Sequence, residues 1–276
     1  MGWLFAALVA TGWPPLQAEE LLFLLAGQSN MRGRGVTAEL PESLRAIPEN
    51  VRYFRDRAPN KFSQPNYFGP EIGFALTVAE AFPDKTIIII KIGRGSISVL
   101  TWSPDWPREL AATAYNQRVK PNDDQIAAHV RAVDPSRSAN LAAIIWLQGE
   151  RDAQFEEEAV HYERHLSALL NGLRRDLDSP GAMLLISEES PRITEEFEFS
   201  ALDIVRSAQR KVANTLANAL LVKTDGISTD EDAIHYDTAG LIKLGRRFGE
   251  AWFDHRDLHS ECLWHPVRHE PRRVAW

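Results

Sequence analysis

Short apolar runs recur along the chain, and each is bounded by polar residues or by residues typical of turns. Two of them, "TIIIIKI" and "LAAIIWL", do not alternate between apolar and polar positions, so both faces of these segments should be buried. All the runs are too short for helices, and their length favours strands. We therefore predict five strands, at Leu21–Ala26, Thr86–Ile92, Leu141–Leu147, Ala182–Ser187 and Ala219–Val222.

Helical periodicity follows each of the last three runs, where apolar residues recur every three or four positions. Asp237 or Thr238 can cap the last of these helices. Alternating strands and helices predict an α/β fold, a three-layer α/β/α sandwich around a parallel sheet. The predicted buried stripes are Phe155, Ala159, Tyr162, Leu166, Leu169 and Leu173; Ile204, Ala208, Val212 and Leu216; and Leu241, Leu244, Phe248 and Trp252.

Composition and charge narrow the class of protein. The 276 residues are 44% hydrophobic and 25% charged, which is typical of a globular protein and enough for one α/β domain. The net charge of -7 argues against a nucleic-acid surface, which needs a basic patch. The single cysteine, Cys262, excludes an intrachain disulfide.

The first nineteen residues form a candidate signal peptide. Trp3–Trp13 is apolar but too short to span a membrane, and small residues surround Gln17 and Ala18, where a signal peptidase could cut. This segment lacks a lysine or arginine, so a disordered leader or a wrongly assigned start is the alternative. We expect a secreted or periplasmic protein without a membrane anchor after processing, with a single domain over 20–254.

The last segment, 255–276, is predicted to be a loose tail because it is rich in His, Arg and Pro. Its histidines surround the one cysteine and could in principle hold zinc, but no second cysteine accompanies them. We favour a tail without a metal. The residues concerned are His255, His259, Cys262, His265 and His269.

Polar clusters stand where predicted strands end. "GQSN" (27–30) follows the first strand, "GRGS" (93–96) the second and "QGERD" (148–152) the third, while "DAIHYD" (232–237) lies between the last strand and the last helix. In an open parallel sheet, functional residues gather beyond the carboxyl ends of the strands. The fold should therefore bring these clusters to one edge.

The clusters contain the residues of a serine nucleophile with its base. A serine hydroxyl needs a base to take its proton, and a carboxylate that orients the base. Ser29, His235 and Asp232 can supply these three roles. Taken singly, Ser29 and Asn30 could instead cap a helix, and His235 and Asp232 could be surface and turn residues.

Acyl transfer also needs donors for the developing oxyanion. The backbone N–H groups of Ser29 and Gly95 and the side-chain amide of Gln148 are the candidates, although Gln148 and Glu150 could be solvated loop residues. We interpret Arg94 as a surface charge rather than as a clamp for the substrate. The "GRG" turn lacks the third glycine of a dinucleotide-binding loop, so we do not favour a dinucleotide site there.

The motifs "GQSNMRGRG", "KIGRGSIS", "WLQGERD" and "DAIHYDTAGLIKLGRRF" together resemble the four blocks of the SGNH hydrolase superfamily. The resemblance is closest to its branch of sialate O-acetylesterases and carbohydrate esterase family 6 acetylxylan esterases, and it covers roughly 21–252. It implies a flavodoxin-like parallel sheet and serine-dependent deacetylation without a metal or other cofactor.

The resemblance assigns roles by position. It makes Ser29 the nucleophile, His235 the base and Asp232 the acid, and it places Gln148 and Glu150 in a Q-G-E motif whose glutamate braces the loop or orients a neighbour. Two positions depart from the family pattern. Arg32 stands where a small residue is common, and "GRGS" at 93–96 replaces paired glycines.

The sequence thus predicts a carbohydrate O-acetylesterase whose partner is an acetylated sugar. Acetylated xylan, acetylated sialic acid and other acetylated sugars all suit this set of residues. Trp102 and Trp106 could line the sugar cleft or pack in the core. The alternative is a carbohydrate-binding pseudoenzyme of the same fold, and the oligomeric state is left open.

Overall fold

The computed structural model describes residues 20–55, 58–59, 67–118, 123–133, 140–193 and 198–260. The candidate signal peptide and most of the predicted tail, including Cys262, lie outside these residues. The strands are β1 Glu20–Gly27, β2 Gly35–Val36, β3 Val51–Arg55, β4 Ala58–Pro59, β5 Tyr67–Phe68, β6 Thr86–Gly93, β7 Asn140–Leu147, β8 Met183–Ser187 and β9 Ala219–Val222. The helices are α1 Ser29–Arg32, α2 Glu71–Ala81, α3 Ala114–Arg118, α4 Asp123–Val133, α5 Glu150–Ala153, α6 Glu156–Ala159, α7 Tyr162–Asp176, α8 Leu202–Thr215 and α9 Thr238–Ser260. Short 3-10 turns span Thr37–Glu39, Glu42–Leu44, Val99–Thr101 and Arg108–Leu110.

The main sheet has the strand order β4-β3-β6-β1-β7-β8-β9. All its neighbouring strands are parallel except the short edge strand β4, which is antiparallel to β3. The five predicted strands correspond to β1, β6, β7, β8 and β9, and the predicted α/β sandwich with a parallel sheet is confirmed.

Both faces of the sheet are buried, as the uninterrupted apolar runs predict. Along β1, Leu22 and Leu24 point into one core, which also receives α4, α7 and α8. Leu21 and Phe23 point into the opposite core, which receives α2 and α9. The sandwich therefore has three layers, with the central strand β1 enclosed on both sides.

Four details differ from the sequence predictions. The strand β3 was not predicted, and the first predicted helix is divided into α6 and α7 around an exposed Val160. Ile204 is 36% exposed and Leu216 lies just past α8, so the buried stripe of that helix runs instead through Leu202, Val205, Ala208 and Val212. Helix α9 continues to Ser260, so the first six residues of the predicted tail are helical.

The start of α9 follows the capping prediction for Asp237. Its Oδ1 accepts a hydrogen bond of 2.6 Å from the backbone N–H of Gly240, as an N-cap side chain does. Thr238 has a different partner, since its Oγ1 accepts from the backbone N–H of Val36. Asp237 is therefore the cap, and it fixes the loop that carries His235 to the beginning of the helix.

The strand order places the first polar cluster at the centre of the sheet edge. The strand β1 lies between β6 and β7, so "GQSN" is flanked by "GRGS" and "QGERD". Gly27 at the end of β1 packs against β7 so closely that a Cβ atom would lie 1.9 Å from the Leu147 carbonyl oxygen. Only glycine allows this approach.

A buried ion pair supports the same edge. Lys91 in β6 contacts Glu71 at 2.6 Å, and both side chains are at most 2% exposed. Lys91 Nζ also donates to the Arg32 carbonyl oxygen at 3.1 Å, and so holds the end of α1. Within the described ranges, no helix combines the length and apolarity needed to cross a bilayer.

Candidate active site

Ser29 is the first residue of α1, directly beyond the end of β1. The helix is not capped by a side chain, and its N-cap residue is Gln28, so neither Ser29 nor Asn30 has the capping role that the sequence left open. Instead, Ser29 Oγ lies 3.0 Å from His235 Nε2. This is the separation expected between a serine nucleophile and its general base.

His235 stands in a tight loop that precedes α9. Its Nδ1 lies 2.7 Å from Asp232 Oδ2, while Asp232 Oδ1 accepts the backbone N–H groups of Ile234 and His235 at 3.0 and 2.8 Å. The turn requires a left-handed backbone at Ala233, with φ of 56°. The spacing D-x-x-H therefore turns the carboxylate back towards the imidazole ring.

The hydrogen bonds keep Asp232 ionised. Partial burial opposes ionisation, but the donors from the backbone and side chain of His235 and the backbone of Ile234 outweigh it and lower the pKa of Asp232. An ionised carboxylate holds the proton of His235 on Nδ1, which leaves Nε2 free to accept the Ser29 proton. The structure thus brings together the three residues predicted as a triad, in the predicted geometry.

Arg34 is a further neighbour that the sequence analysis missed. Its Nη1 donates to Asp232 Oδ2 at 3.1 Å and lies 2.7 Å from His235 Nδ1, whose own proton is directed at the same Oδ2. The guanidinium group therefore supports the negative charge of Asp232 from the solvent side. Its separation from Asp232 by 198 residues explains why no local motif indicated it.

Asn30 forms hydrogen bonds that connect the loop carrying His235, here called the histidine loop, to the third polar cluster at 148–152. Its Nδ2 donates to Glu150 Oε1 at 2.5 Å and to the Ile234 carbonyl oxygen at 3.0 Å, and its Oδ1 accepts from the Tyr236 backbone N–H. Burial raises the pKa of Glu150, and the hydrogen bond from Asn30 partly offsets this. Glu150 therefore braces the loop and does not contact the ring of His235, which is one of the two roles that the sequence allowed.

Two predicted oxyanion donors, the backbone N–H groups of Ser29 and Gly95, follow the neighbouring strands β1 and β6 at one edge of the sheet. In the described part of the chain, neither the Ser29 nor the Gly95 backbone N–H donates to another protein group. The preceding residue, Arg94, donates its backbone N–H to Gly27 at 2.9 Å and so holds this loop against the end of β1. A Cβ at position 95 would meet no atom within 4 Å, so Gly95 faces open space.

The third predicted oxyanion donor, Gln148, has a different place. Its side chain is fully buried, and its Nε2 donates to Gln28 Oε1 at 3.1 Å, to the Ile97 carbonyl at 3.1 Å and to Asp152 Oδ2 at 2.5 Å. With these three acceptors around it, the amide does not point at an oxyanion. Gln148 is thus neither an oxyanion donor in this geometry nor a solvated loop residue, and the earlier prediction is corrected.

Gln148 instead joins the loops that follow three strands. Its acceptor Asp152 also accepts from Ser98 Oγ at 2.6 Å, and burial raises the pKa of Asp152 to about 6. Gln28 Oε1 accepts in addition from the Arg151 backbone N–H at 3.2 Å. This buried network sets the positions of the chain on both sides of Ser29.

Gln148→Ala is therefore expected to destabilise the fold. The substitution removes one hydrogen bond from each of three buried acceptors, although Gln28 and Asp152 keep other donors, so the free energy of unfolding should fall by about 1–3 kcal/mol. Urea denaturation measures this change, with Gln154→Ala as a control at a half-buried glutamine. A Gln148→Ala protein of unchanged stability but strongly reduced esterase turnover would restore Gln148 as an oxyanion donor.

The predicted aromatic residues divide between core and loop. Trp102 is fully buried and packs edge-to-face on Trp146, with ring centroids 5.3 Å apart, so it belongs to the core. Trp106 is half-buried, and Arg108 stacks over its ring. Among the residues that the structure describes, no group of three or more His, Cys, Asp or Glu side chains is placed to hold a metal ion.

Relatives share this fold over most of the chain. A probable carbohydrate esterase of Arabidopsis thaliana is 22% identical over 263 residues, which cover 87% of this chain and 91% of the relative. The solved structure of that plant protein superposes with a TM-score of 0.68 at 20% identity and covers 85% of this chain and 98% of its own. A carbohydrate acetylesterase from Xanthomonas citri gives a TM-score of 0.59 at 16% identity, over 83% of this chain and 55% of its own.

A family model gives the assignment. The model described as carbohydrate esterase, sialic acid-specific acetylesterase matches residues 19–254. The match includes all four motifs, and with them Ser29, His235 and Asp232. It confirms the resemblance drawn from the sequence. The chain therefore belongs to this family of carbohydrate esterases.

Proposed function

We propose that this carbohydrate esterase removes acetyl groups from acetylated sugars through a Ser-His-Asp acyl-enzyme mechanism. The observation that carries the proposal is the continuous contact from Ser29 Oγ to His235 Nε2 at 3.0 Å and from His235 Nδ1 to Asp232 Oδ2 at 2.7 Å. The description of the Xanthomonas citri relative as a carbohydrate acetylesterase supports acetyl as the acyl group.

In the first half of the reaction, Ser29 Oγ attacks the carbonyl carbon of the acetyl ester while His235 Nε2 takes the hydroxyl proton. The carbonyl oxygen becomes an oxyanion, which accepts hydrogen bonds from the N–H groups of Ser29 and Gly95. The intermediate collapses and the ester C–O bond breaks. His235 gives its proton to the departing sugar oxygen, and the acetyl group stays on Ser29.

In the second half, water replaces the sugar hydroxyl. His235 Nε2 takes a proton from this water, whose oxygen attacks the acetyl carbon and forms a second oxyanion. Collapse of this intermediate releases acetate and returns the proton to Ser29. Asp232 stabilises the imidazolium in both halves, because its negative charge stays on the Nδ1 side of the ring.

The substrate is an O-acetylated sugar, and two types of acetylated sugar have specific support. The family description supports acetylated sialic acid, and the resemblance to carbohydrate esterase family 6 supports acetylated xylan. Both substrates present an acetyl ester on a sugar hydroxyl, so the same groups act on either one.

Acetate release tests this function. The purified protein is incubated with 4-nitrophenyl acetate, acetylated xylooligosaccharides and O-acetylated sialic acid, and the acetate formed is quantified. Binding of the deacetylated sugars is measured in parallel. Acetate release supports the esterase, whereas sugar binding without acetate release from any substrate would identify the carbohydrate-binding pseudoenzyme.

A further inference from the structure

Two of the five tyrosines are exposed to solvent, and both lie at the edge of the sheet that carries Ser29. Tyr67 is 56% and Tyr115 is 52% exposed, whereas the other three tyrosines are at most 4% exposed. Single exposed apolar side chains are common on protein surfaces and need no explanation. The informative feature is therefore the shared location of these two rings near the proposed nucleophile.

Tyr67 lies on a short ribbon formed by β2 and β5, in which Val36 pairs with Tyr67 and Gly35 with Phe68. Neighbouring residues of a strand point to opposite faces. Val36, which is 37% exposed, and Tyr67 therefore share the outer face of the ribbon, while Phe68 is fully buried. A Cβ atom at Gly35 would lie 2.6 Å from the Phe68 ring, so the inner face is tightly packed and holds the outer face in place.

The ribbon is fixed beside the histidine loop. Arg34, two residues before Val36, contacts both Asp232 and His235. The backbone N–H of Val36 also donates to Thr238 Oγ1 at 2.8 Å, at the start of α9. Two residues span at most about 7 Å of chain. The ribbon therefore borders the side of the site on which His235 gives its proton to the departing sugar oxygen in the proposed mechanism.

Tyr115 lies in the wall of a cleft of about 670 Å³ that opens beside Gly95. Ser96 and Ile97, which follow this glycine, line the same cleft. The volume is in the range of sites that hold a whole small molecule, and it is much larger than an acetyl group requires. The cleft therefore has room for a sugar ring next to the proposed oxyanion donor.

Buried hydrogen bonds connect Tyr115 to the loop of Gly95. The next residue, Asn116, is 1% exposed, and its Oδ1 accepts from the backbone N–H of Ser98 at 3.2 Å. Its Nδ2 donates to Thr113 Oγ1 at 3.1 Å, which holds the start of α3. The position of Tyr115 is thus set by the same loop that carries the oxyanion donor.

The two tyrosines lie on opposite sides of the sheet. Phe68, which follows Tyr67, packs in the core that receives α2 and α9. Ile97, from the loop that holds Tyr115, packs in the opposite core. Ser29 follows β1, whose side chains enter both cores. A ligand that contacts both rings by the shortest path therefore crosses the end of β1, where Ser29 stands.

We propose that Tyr67 and Tyr115 are two platforms on which sugar rings stack, one on each side of Ser29, so that the enzyme prefers an acetylated sugar inside a chain to one at a chain end. Pyranose rings that are joined through equatorial bonds present flat C–H faces, which can pack on an aromatic ring. The acetylated sugar would lie between the platforms, and its neighbours in the chain would occupy them. This inference rests on the proposed function, because the acetyl ester and the neighbouring sugars belong to one substrate.

The test compares three acetylated substrates: a methyl xyloside, a xylotetraose acetylated on a terminal sugar and a xylotetraose acetylated on an internal sugar. Acetate release gives kcat/KM for each. The internal ester should exceed the methyl xyloside by about tenfold or more, because each stacking contact contributes about three- to tenfold. The terminal ester should lie between them, since only one platform then has a neighbouring sugar to bind.

Single variants assign the preference to the two rings. Tyr67→Ala and Tyr115→Ala should each lower the ratio of kcat/KM for the internal ester to that for the methyl xyloside by about three- to tenfold. Only one of them should lower the ratio for the terminal ester. Tyr67→Phe and Tyr115→Phe keep the rings and should keep most of the preference.

Phe253→Ala is the matched control. Phe253 is an exposed aromatic residue near the end of α9, and it packs against Phe82, which precedes β6 at the opposite edge of the sheet. Its removal should leave all three values of kcat/KM unchanged. Melting temperatures show whether each variant is folded.

Each outcome has one interpretation. A wild-type protein that cleaves the internal ester no faster than the methyl xyloside or the terminal ester overturns the inference even if no variant folds, and acetate release then leaves the esterase proposal intact. A preference for the internal ester that survives both alanine variants also overturns it. Release of acetate from 4-nitrophenyl acetate but from none of the xylosides overturns the inference alone, whereas no release from any of these substrates refutes the proposed function itself.

Discussion

Ser29→Ala is expected to lower the turnover of 4-nitrophenyl acetate by about 10⁶-fold, the loss seen when the nucleophile of a comparable serine triad is removed. The reason is that Ser29 Oγ is the only protein atom that bonds to the acetyl carbon in the proposed mechanism. Its removal leaves His235 without a hydroxyl to activate, although the ring is still held by Asp232 at 2.7 Å. Steady-state rates and single-turnover acetate release measure the effect.

A matched control for this variant is Ser207→Ala, which removes an exposed hydroxyl from α8 on the protein surface. Ser207→Ala should keep the wild-type rate. Ser29→Ala should retain its melting temperature within a few degrees, since Ser29 is only half-buried and loses one hydrogen bond. Wild-type turnover in a folded Ser29→Ala protein would show that Ser29 is not the nucleophile.

The sequence predicted the centre of the sheet better than its edge. The five predicted strands are rich in apolar residues because helices cover them on both faces. The missed strand β3 has an exposed Arg52 and a half-buried Arg55, and it lies next to the edge strand β4. It forms because it pairs with β6, and such tertiary pairing leaves no periodic signal in five residues.

The site was predictable where a residue's role follows from its position at a strand end. Ser29 belongs to this group because it directly follows β1, and Asp232 and His235 lie in the loop that runs from the carboxyl end of β9 to α9. Gln148 was misjudged because its burial depends on Gln28, which is 120 residues away in the sequence. A polar residue after a strand looks the same in the sequence whether it faces solvent or a buried network.

Arg32, Arg55 and Arg94 line one cleft at this edge of the sheet, where Arg94, which we interpreted as a surface charge, is half-buried. Arg32 and Arg94 are the two places where the motifs depart from the family pattern, and both line the cleft. Arg55 lies in the missed strand. Their common location depends on the order β3-β6-β1, which the sequence analysis did not determine.

Asp232→Asn is expected to lower turnover by about 10⁴-fold, as the same change does in a comparable serine protease triad. The structure supplies the reason. Asp232 Oδ1 accepts two backbone N–H groups, so an asparagine there would keep its carbonyl oxygen in that place and turn its NH₂ group towards His235 Nδ1. His235 would then carry its proton on Nε2, where it could not accept the proton of Ser29.

Glu150→Gln provides the contrast, since Glu150 is the other carboxylate at this edge. Its Oε1 accepts from Asn30, while its buried Oε2 has no partner among the described residues. Glutamine keeps the accepting oxygen and the size of the side chain, so turnover should fall by about tenfold or less. Asp230→Asn, an exposed carboxylate on the histidine loop, should have a similarly small effect.

The ranking of these variants decides which acid orients His235. The rates are compared at several pH values between 6 and 9, because a wrong tautomer of His235 lowers the rate throughout this range and cannot be restored by raising the pH. A loss in Asp232→Asn that recovers fully at high pH would contradict the tautomer argument. A larger loss of turnover in Glu150→Gln than in Asp232→Asn, in two folded proteins, would assign the orienting role to Glu150. The contact of Asp232 with His235 Nδ1 would then stabilise the loop without contributing to turnover.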